Sequence, residues 1–426
     1  MNTIWLIIYN FFILPIMFFV ALILSIVKSK VREGLISRIG TIKKTKYFFD
    51  KIEKDKIVYW FHCASHGEYE QVNPILSSLK EIQKNCIIIT SFSSPAGYNN
   101  VIDKNIDLKI YLPLDFLWNT IRIIKIIRPQ KLIFAEYDLW PNYIWTAKWL
   151  DIHTTLFSAR FYHKNTKLLP TIKNFYKYIY SSLSAIYTIS EKDNLILKKF
   201  LTRNYKGILR VLGSPRYDRV SIFSINSNIK SDKEKLIRPY RLIAGSVWPE
   251  DDEIILNVLI EKALLIEDFF FTWAPHEINI KYINDIKRKI FKAGLDPVLF
   301  STIGKNNKHF KCIILDKIGY LANHYWSGNF AYIGGGFSSG IHNVMEPAIA
   351  SLPIVFGPKY HNSHTAEELL KYGGGFEINS SDEFENILSN LIRNDNFYLK
   401  SSQSSSEVIY KNIGSATRVV RGILSD

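Results

Sequence analysis

The chain has 426 residues, 47% of them hydrophobic, and a formal net charge of +15. That length fits about two to three domains, and that apolar content supplies a large core, which excludes a globally disordered chain. The three cysteines, Cys63, Cys86 and Cys312, form no C-x-x-C pair, which excludes a disulfide framework and a cysteine-built zinc site.

The positive charge has two readings: drift of the composition toward lysine, or attraction to an anionic surface or ligand. No basic block interleaved with aromatics stands in the sequence, so nucleic acid is not an expected partner. From Ile4 to Val27 there is no charge, and Asn10 is the one strongly polar side chain. A helix of that length can cross a hydrocarbon core of about 30 Å or lie in the interface, with Pro15 kinking it. Lys28, Lys30, Arg32 and Arg38 follow, which predicts anionic membrane lipids as partners and a cytoplasmic position for the bulk of the chain. Residues 1–30 are read as this anchor. Removing them through Val27 is expected to release the remainder with its fold intact.

Next comes an alternation of short apolar runs and helix-length stretches. Strands are predicted at Ile57–Phe61, Cys86–Thr90, Leu108–Pro113, Lys131–Glu136, Thr154–Arg160 and Ala185–Ser190. Such a series indicates a parallel sheet with crossover helices. The polar stretch around Ser224–Lys233 reads as a linker. A second series follows at Tyr240–Ser246, Asp268–His276, Lys311–Asp316, Phe330–Gly336 and Leu352–Pro358. The predicted organisation is a first Rossmann-like domain over 31–223, a linker over 224–235, a second Rossmann-like domain over 236–405 and a closing helix over 406–426. In open parallel sheets ligands bind beyond the carboxyl ends of the strands, and two sheets predict a cleft between them as the site.

The unusual residues gather at those strand ends. Ser65-x-x-Glu68 has capping-box spacing, and Glu68 would also sit at the rim of a site, so it reads as a cap, a base, or both. Ala64-Ser65-His66-Gly67 lacks the nucleophile elbow of a serine hydrolase. In the segment 136–142, Glu136 and Asp138 would share a face if extended, with Tyr137 opposite and Trp140-Pro141 ending the strand. Gly334-x-Gly336-x-x-x-Gly340 suggests a close approach of backbone to phosphate, with a helix from about Ile341 aiming its amides there. No acidic residue follows at the next strand end, which argues against a nicotinamide cofactor. Glu346, one turn into that helix, reads as a ribose ligand or a solvated charge. His361 to His364 reads as a loop rather than a metal site.

Together the segments HCASHGE, SFSSPAG, AEYDLWPN, GSPRYD, AGSVWPEDDE, APHE and YIGGGFSSGIHNVMEPAIASLPIVFGP resemble the 3-deoxy-D-manno-octulosonic acid (Kdo) transferases, in order and over nearly the whole chain. The resemblance implies a GT-B glycosyltransferase that moves Kdo from CMP-Kdo to a lipid A precursor, inverting the anomeric centre, without a metal or other cofactor. It implies Glu68 as general base and Glu136 and Arg216 as transition-state support. It places CMP at Ala274, Pro275, His276, Ile318, Gly319, Tyr320, Asn343, Val344, Met345 and Glu346. The turn at Gly245 and Ser246 is expected to meet the departing phosphate. Pro275 stands where the family often has arginine, Arg216 where lysine is frequent, and His66 where a small or apolar residue is usual. Two other readings stay open: a GT-B transferase or epimerase using a UDP-sugar, and a membrane-tethered binding protein whose activity has decayed.

Overall fold

A computed structural model describes residues 3–53, 55–161, 169–225, 232–237, 239–303 and 310–426. The middle of the predicted linker, 226–231, lies outside the described residues. The chain divides into two compact units, Met1–Arg219 with Gly414–Asp426, and Val220–Ile413. The divisions fall before and after the expected positions, at 219/220 and 413/414, and residue 405 lies inside the helix Asp395–Tyr410.

The amino-terminal unit is built on a seven-stranded sheet ordered β3-β2-β1-β4-β5-β6-β7. Its strands are β1 (Val58–Cys63), β2 (Ile87–Phe92), β3 (Leu108–Tyr111), β4 (Lys131–Ala135), β5 (His153–Ala159), β6 (Ala185–Thr188) and β7 (Ile208–Val211). All pairings are parallel. The middle strands are buried along their whole length, because helices cover both faces. One face carries Trp60, Phe134, Tyr143 and Leu156. The other carries Phe61, Val72, Ile133 and Tyr187. β7 was absent from the sequence reading. It is an edge strand, only partly buried, and so lacks a long apolar run.

The second unit repeats the plan, with strand order β10-β11-β9-β8-β12-β13-β14. Here β8 is Tyr240–Val247, β9 Phe269–Pro275, β10 Pro297–Leu299, β11 Cys312–Ile314, β12 Phe330–Ile333, β13 Ile354–Phe356 and β14 Gly375–Glu377. The sequence reading also missed β10 and β14, the two edges. Each has three residues, too few to show a period.

Two corrections concern the ends of the first unit. The apolar segment is a helix Thr3–Ile8, a π-helical turn Tyr9–Ile13 and a helix Leu14–Val27. The π turn lies just ahead of Pro15 and is the form the expected kink takes. Tyr9 is 3% exposed and belongs with Leu14 to the core of the unit. Its hydroxyl donates to Asp115 (2.8 Å), and Asn10 exchanges hydrogen bonds with Asn142. The segment is therefore part of the fold, and deletion through Val27 removes core side chains. At the other end, the helix Ser415–Ser425 packs Val419, Val420 and Ile423 into the first sheet. Asp218 accepts from the amides of Gly414 (2.7 Å) and Ala416 (2.9 Å), capping that helix with a side chain from residue 218.

Ile423 is fully buried. Ile423→Ala is expected to destabilise the amino-terminal unit by about 2–5 kcal/mol. Hydrogen exchange resolved by segment checks it: protection falls in β1, β4 and β6 and is unchanged in β8 and β12.

Candidate active site

In the amino-terminal unit the turn after β1 leads into the helix His66–Ile82. Ser65 is its N-cap and accepts from the Glu68 amide (3.4 Å). The Glu68 carboxylate reaches back to the amide of Ala64, one residue beyond the usual partner in a capping box. That bond holds the carboxyl over the end of the sheet, where it is 8% exposed. Burial pushes its pKa up from 4.5 to about 8; the Ala64 amide opposes this, Asp138 and Glu136 add to it, and Arg216 opposes it. Cap and titratable group are thus the same side chain.

The two neighbouring carboxylates come from the turn after β4. Glu136 does not extend the strand as predicted but takes φ 53°, and its amide donates to Phe157 O (3.1 Å). The turn separates the two side chains that an extended chain would align. Glu136 faces Arg216, with Nη2 3.2 Å from Oε1 and 3.3 Å from Oε2. Arg216 opens the helix Arg216–Ile225, and its buried Nε has no hydrogen-bond partner among the described residues. Asp138 instead accepts from His62 Nε2 (2.9 Å) and Ser93 Oγ (2.8 Å). Burial acts to raise its pKa, but the His62 and Ser93 hydrogen bonds outweigh it and hold the carboxyl below its ordinary value. The His62–Asp138–Ser93 arrangement was not visible in the sequence, where the three lie far apart.

A second cluster lies in the other unit, at the carboxyl ends of β8, β9 and β12 and in the loop after β11. Gly245 has no room for a side chain, since a Cβ there would stand 2.0 Å from the Tyr325 hydroxyl. Ser246 adopts φ 54°. Gly334 packs directly on the Ser246 carbonyl and Val247 Cα, so the glycine loop is pressed against the β8 turn. Asp251 fixes this contact. It is fully buried and accepts from Trp248 N (2.8 Å), Gly335 N (2.9 Å) and Tyr332 OH (2.7 Å). In the sequence it is one of four consecutive acids, 250–253, with nothing to single it out.

Ala274 and Pro275 end β9. The His276 ring stacks on Trp248 (4.6 Å between centroids) and on His342 (4.1 Å). His342 accepts from the Trp248 indole (2.8 Å); burial, then His276, lowers its pKa to about 4, so its ring is neutral at pH 7. Ile318 is exposed, Gly319 has φ 90°, and Tyr320 leans on Phe300 (5.0 Å). The helix expected from Ile341 starts at Met345 and runs five residues, to Ile349. Glu346 is therefore its second residue, not one turn in. Asn343 accounts for the late start: its Oδ1 accepts from Met345 N (2.9 Å), and its Nδ2 donates to Glu346 Oε1 (3.0 Å). Val344 is buried behind them. The structure thus brings together Glu68, Glu136 and Arg216 in one unit. In the other it brings together Gly245, Ser246, Ala274, Pro275 and His276, and pairs Asn343 with Glu346.

Two parallel sheets with these strand orders and sites at their carboxyl ends define a GT-B glycosyltransferase fold. A putative UDP-N-acetylglucosamine 2-epimerase from Listeria monocytogenes shares the fold, with a TM-score of 0.62 over 87% of this chain and 96% of that one, at 11% identity. Residues 33–219 match the family described as 3-Deoxy-D-manno-octulosonic-acid transferase (kdotransferase). A 3-deoxy-D-manno-octulosonic acid transferase from Chlamydophila psittaci is 28% identical over 75% of this chain and 73% of its own. The transferase of the same name from Aquifex aeolicus is 27% identical over 82% and 90%. The chain is a glycosyltransferase related to the Kdo transferases over most of its length.

Gly245→Ala is expected to lower the stability of the second unit by about 1–3 kcal/mol through overpacking against Tyr325. Tyr325→Phe in the same chain removes the obstructing hydroxyl and should recover part of the loss. Urea unfolding of the single and double variants measures both.

Proposed function

We propose that the chain transfers Kdo from CMP-Kdo to the sugar hydroxyl of a lipid A precursor, with inversion and without a metal, at the cytoplasmic face of the inner membrane. The observation that carries this reading is Glu68: a carboxyl held at a strand end by a backbone amide, nearly out of water, with its pKa raised to about 8. A sugar hydroxyl is a poor nucleophile, and a base poised near the working pH is what its activation needs. Relationship to transferases that carry the Kdo name supports the donor sugar.

In the proposed reaction the acceptor oxygen forms a bond to the anomeric carbon while the bond from that carbon to the CMP phosphate oxygen breaks. The electron pair leaves with the phosphate, and the acceptor proton passes to Glu68. Glu136 balances positive character on the sugar ring, and the Arg216 guanidinium meets negative charge on the leaving group. In the second unit, Gly245 and Ser246 offer bare backbone to a phosphate. The Asn343–Glu346 pair offers a ribose ligand, and Ala274, Pro275, His276, Ile318, Gly319, Tyr320, Val344 and Met345 shape the nucleotide pocket.

Incubation with CMP-Kdo or UDP-sugars and a tetraacylated lipid A precursor, read by mass spectrometry, tests the donor: Kdo addition is expected, and product from a UDP-sugar alone would refute the reading. Glu68→Gln should abolish transfer, because the amide keeps the acceptor for Ala64 N–H but takes no proton. The same variant should be stabilised at alkaline pH. With the folded pKa above the ordinary 4.5, the folded state holds a proton that the unfolded state releases, so stability falls as pH rises from about 4.5 to about 8. Glutamine removes that penalty, and melting temperatures at pH 5 and pH 8.5 reveal it. For the unaltered enzyme, kcat/KM should climb with pH until about 8, and Asp138→Asn should move that limb to lower pH. Glu346→Ala should weaken CMP binding by about 1.5–3 kcal/mol in calorimetry, the range for a lost hydrogen bond to a charged group.

A further inference from the structure

The apolar segment is long enough to cross a membrane by composition, with a mean hydropathy of 2.6 over Ile4–Val27. Its attachments make a single crossing impossible. Before the segment's exposed part, Tyr9 and Asn10 are hydrogen bonded to Asp115 and Asn142, and Trp5 packs on Phe175 at 5.4 Å. After it, Arg38 donates to the carbonyls of Leu112 (2.9 Å), Ser93 (2.7 Å) and Gly34. Thr41 and Thr45 are then buried. Both ends are fastened to the amino-terminal unit, so both lie on the side of the membrane that holds it. Arg38, expected among the lipid-facing cations, is engaged inside the fold.

The free part is also short. The helix Leu14–Val27 has 14 residues, about 21 Å, against a hydrocarbon core of about 30 Å. One side of it is held by Leu14 in the core and by Phe18 against Phe116 (5.4 Å). The remainder carries Ile16, Phe19, Ile23 and Val27, exposed up to 84% at Val27, and Phe12 in the preceding π turn continues that stripe. Such a stripe has no partner in water. Phe116 in turn stacks on Trp118 (4.6 Å), which is 66% exposed, and Lys28, Lys30 and Arg32 follow the helix in the open. An apolar stripe with an aromatic beside it and cations at its end matches one leaflet and its anionic head groups.

We infer that this segment enters a single leaflet, with its exposed stripe among acyl chains and Trp118, Lys28, Lys30 and Arg32 at the head groups, and that residues on both sides of it stay on one face of the membrane. The inference rests on the membrane placement proposed above and excludes the spanning arrangement.

The three native cysteines are buried, so introduced ones report alone. Asn2→Cys and Lys84→Cys are each labelled with a membrane-impermeant maleimide in inside-out and right-side-out vesicles. Both should label in the inside-out vesicles, and in the others only after detergent. Asn2→Cys labelling from the face opposite to Lys84→Cys, or only after detergent in both orientations, would overturn the inference. Recovery of the unaltered chain in the soluble fraction after a low-salt wash would instead overturn the membrane placement itself. A second measurement uses vesicles of phosphatidylethanolamine and phosphatidylglycerol. Phe12→Glu with Ile23→Glu should lower partitioning at least tenfold with the near-ultraviolet circular dichroism unchanged. Undiminished partitioning would also overturn the inference.

Discussion

Three carboxyl groups at the ends of two adjacent strands set the terms for the amino-terminal unit. Glu68 follows β1, and Glu136 and Asp138 follow β4, its neighbour. Like charges gathered in a poorly hydrated place cannot all remain ionised without compensation. Each is settled differently. Asp138 has an imidazole and a hydroxyl, Glu136 has a guanidinium, and Glu68 has one backbone amide. Burial pushes the Glu68 pKa above its ordinary value, and Glu68 is the group proposed to exchange a proton with substrate. The cap at Ser65, the left-handed backbone at Glu136 and the polar side chain of His62 in β1 seat these three groups.

The second unit solves a different problem, that of keeping backbone bare and rigid. Gly334 lies on the β8 turn without space for a methyl, and Asp251 ties the two segments through three donors. A fully satisfied buried carboxylate of this kind specifies one loop geometry. Without it the glycines would cost conformational entropy to order and would have no reason to stay in place.

Much of this was legible in the amino-acid order. The buried central strands announced themselves as apolar runs, and the turn residues marked where each sheet ends. Glu68, Glu136 and Arg216 were singled out before any geometry, and they meet. Edge strands escaped because β7, β10 and β14 are short or half exposed. The helix starts at Met345 rather than near Ile341, where the Asn343 side chain binds the Met345 amide and the Glu346 carboxylate, a role that spacing does not display. Asp138 and Asp251 matter through partners distant in sequence, His62, Ser93 and Tyr332, and only folding brings those together. The apolar segment was the sharpest difference. Hydropathy sees its length, whereas its attachment depends on two polar residues, Tyr9 and Asn10, meeting a carboxylate and an amide more than 100 residues away.

The helix Ser415–Ser425 has a consequence for the making of the protein. Val419, Val420 and Ile423 cannot close the face of the first sheet that carries Tyr187 until that helix arrives, and the whole second unit is encoded in between. At about 5–20 residues per second, a ribosome spends some ten seconds or more on the intervening segment. Throughout that time the nascent first unit lacks the side chains that complete one of its two apolar layers. The unit synthesised first is therefore the one completed last.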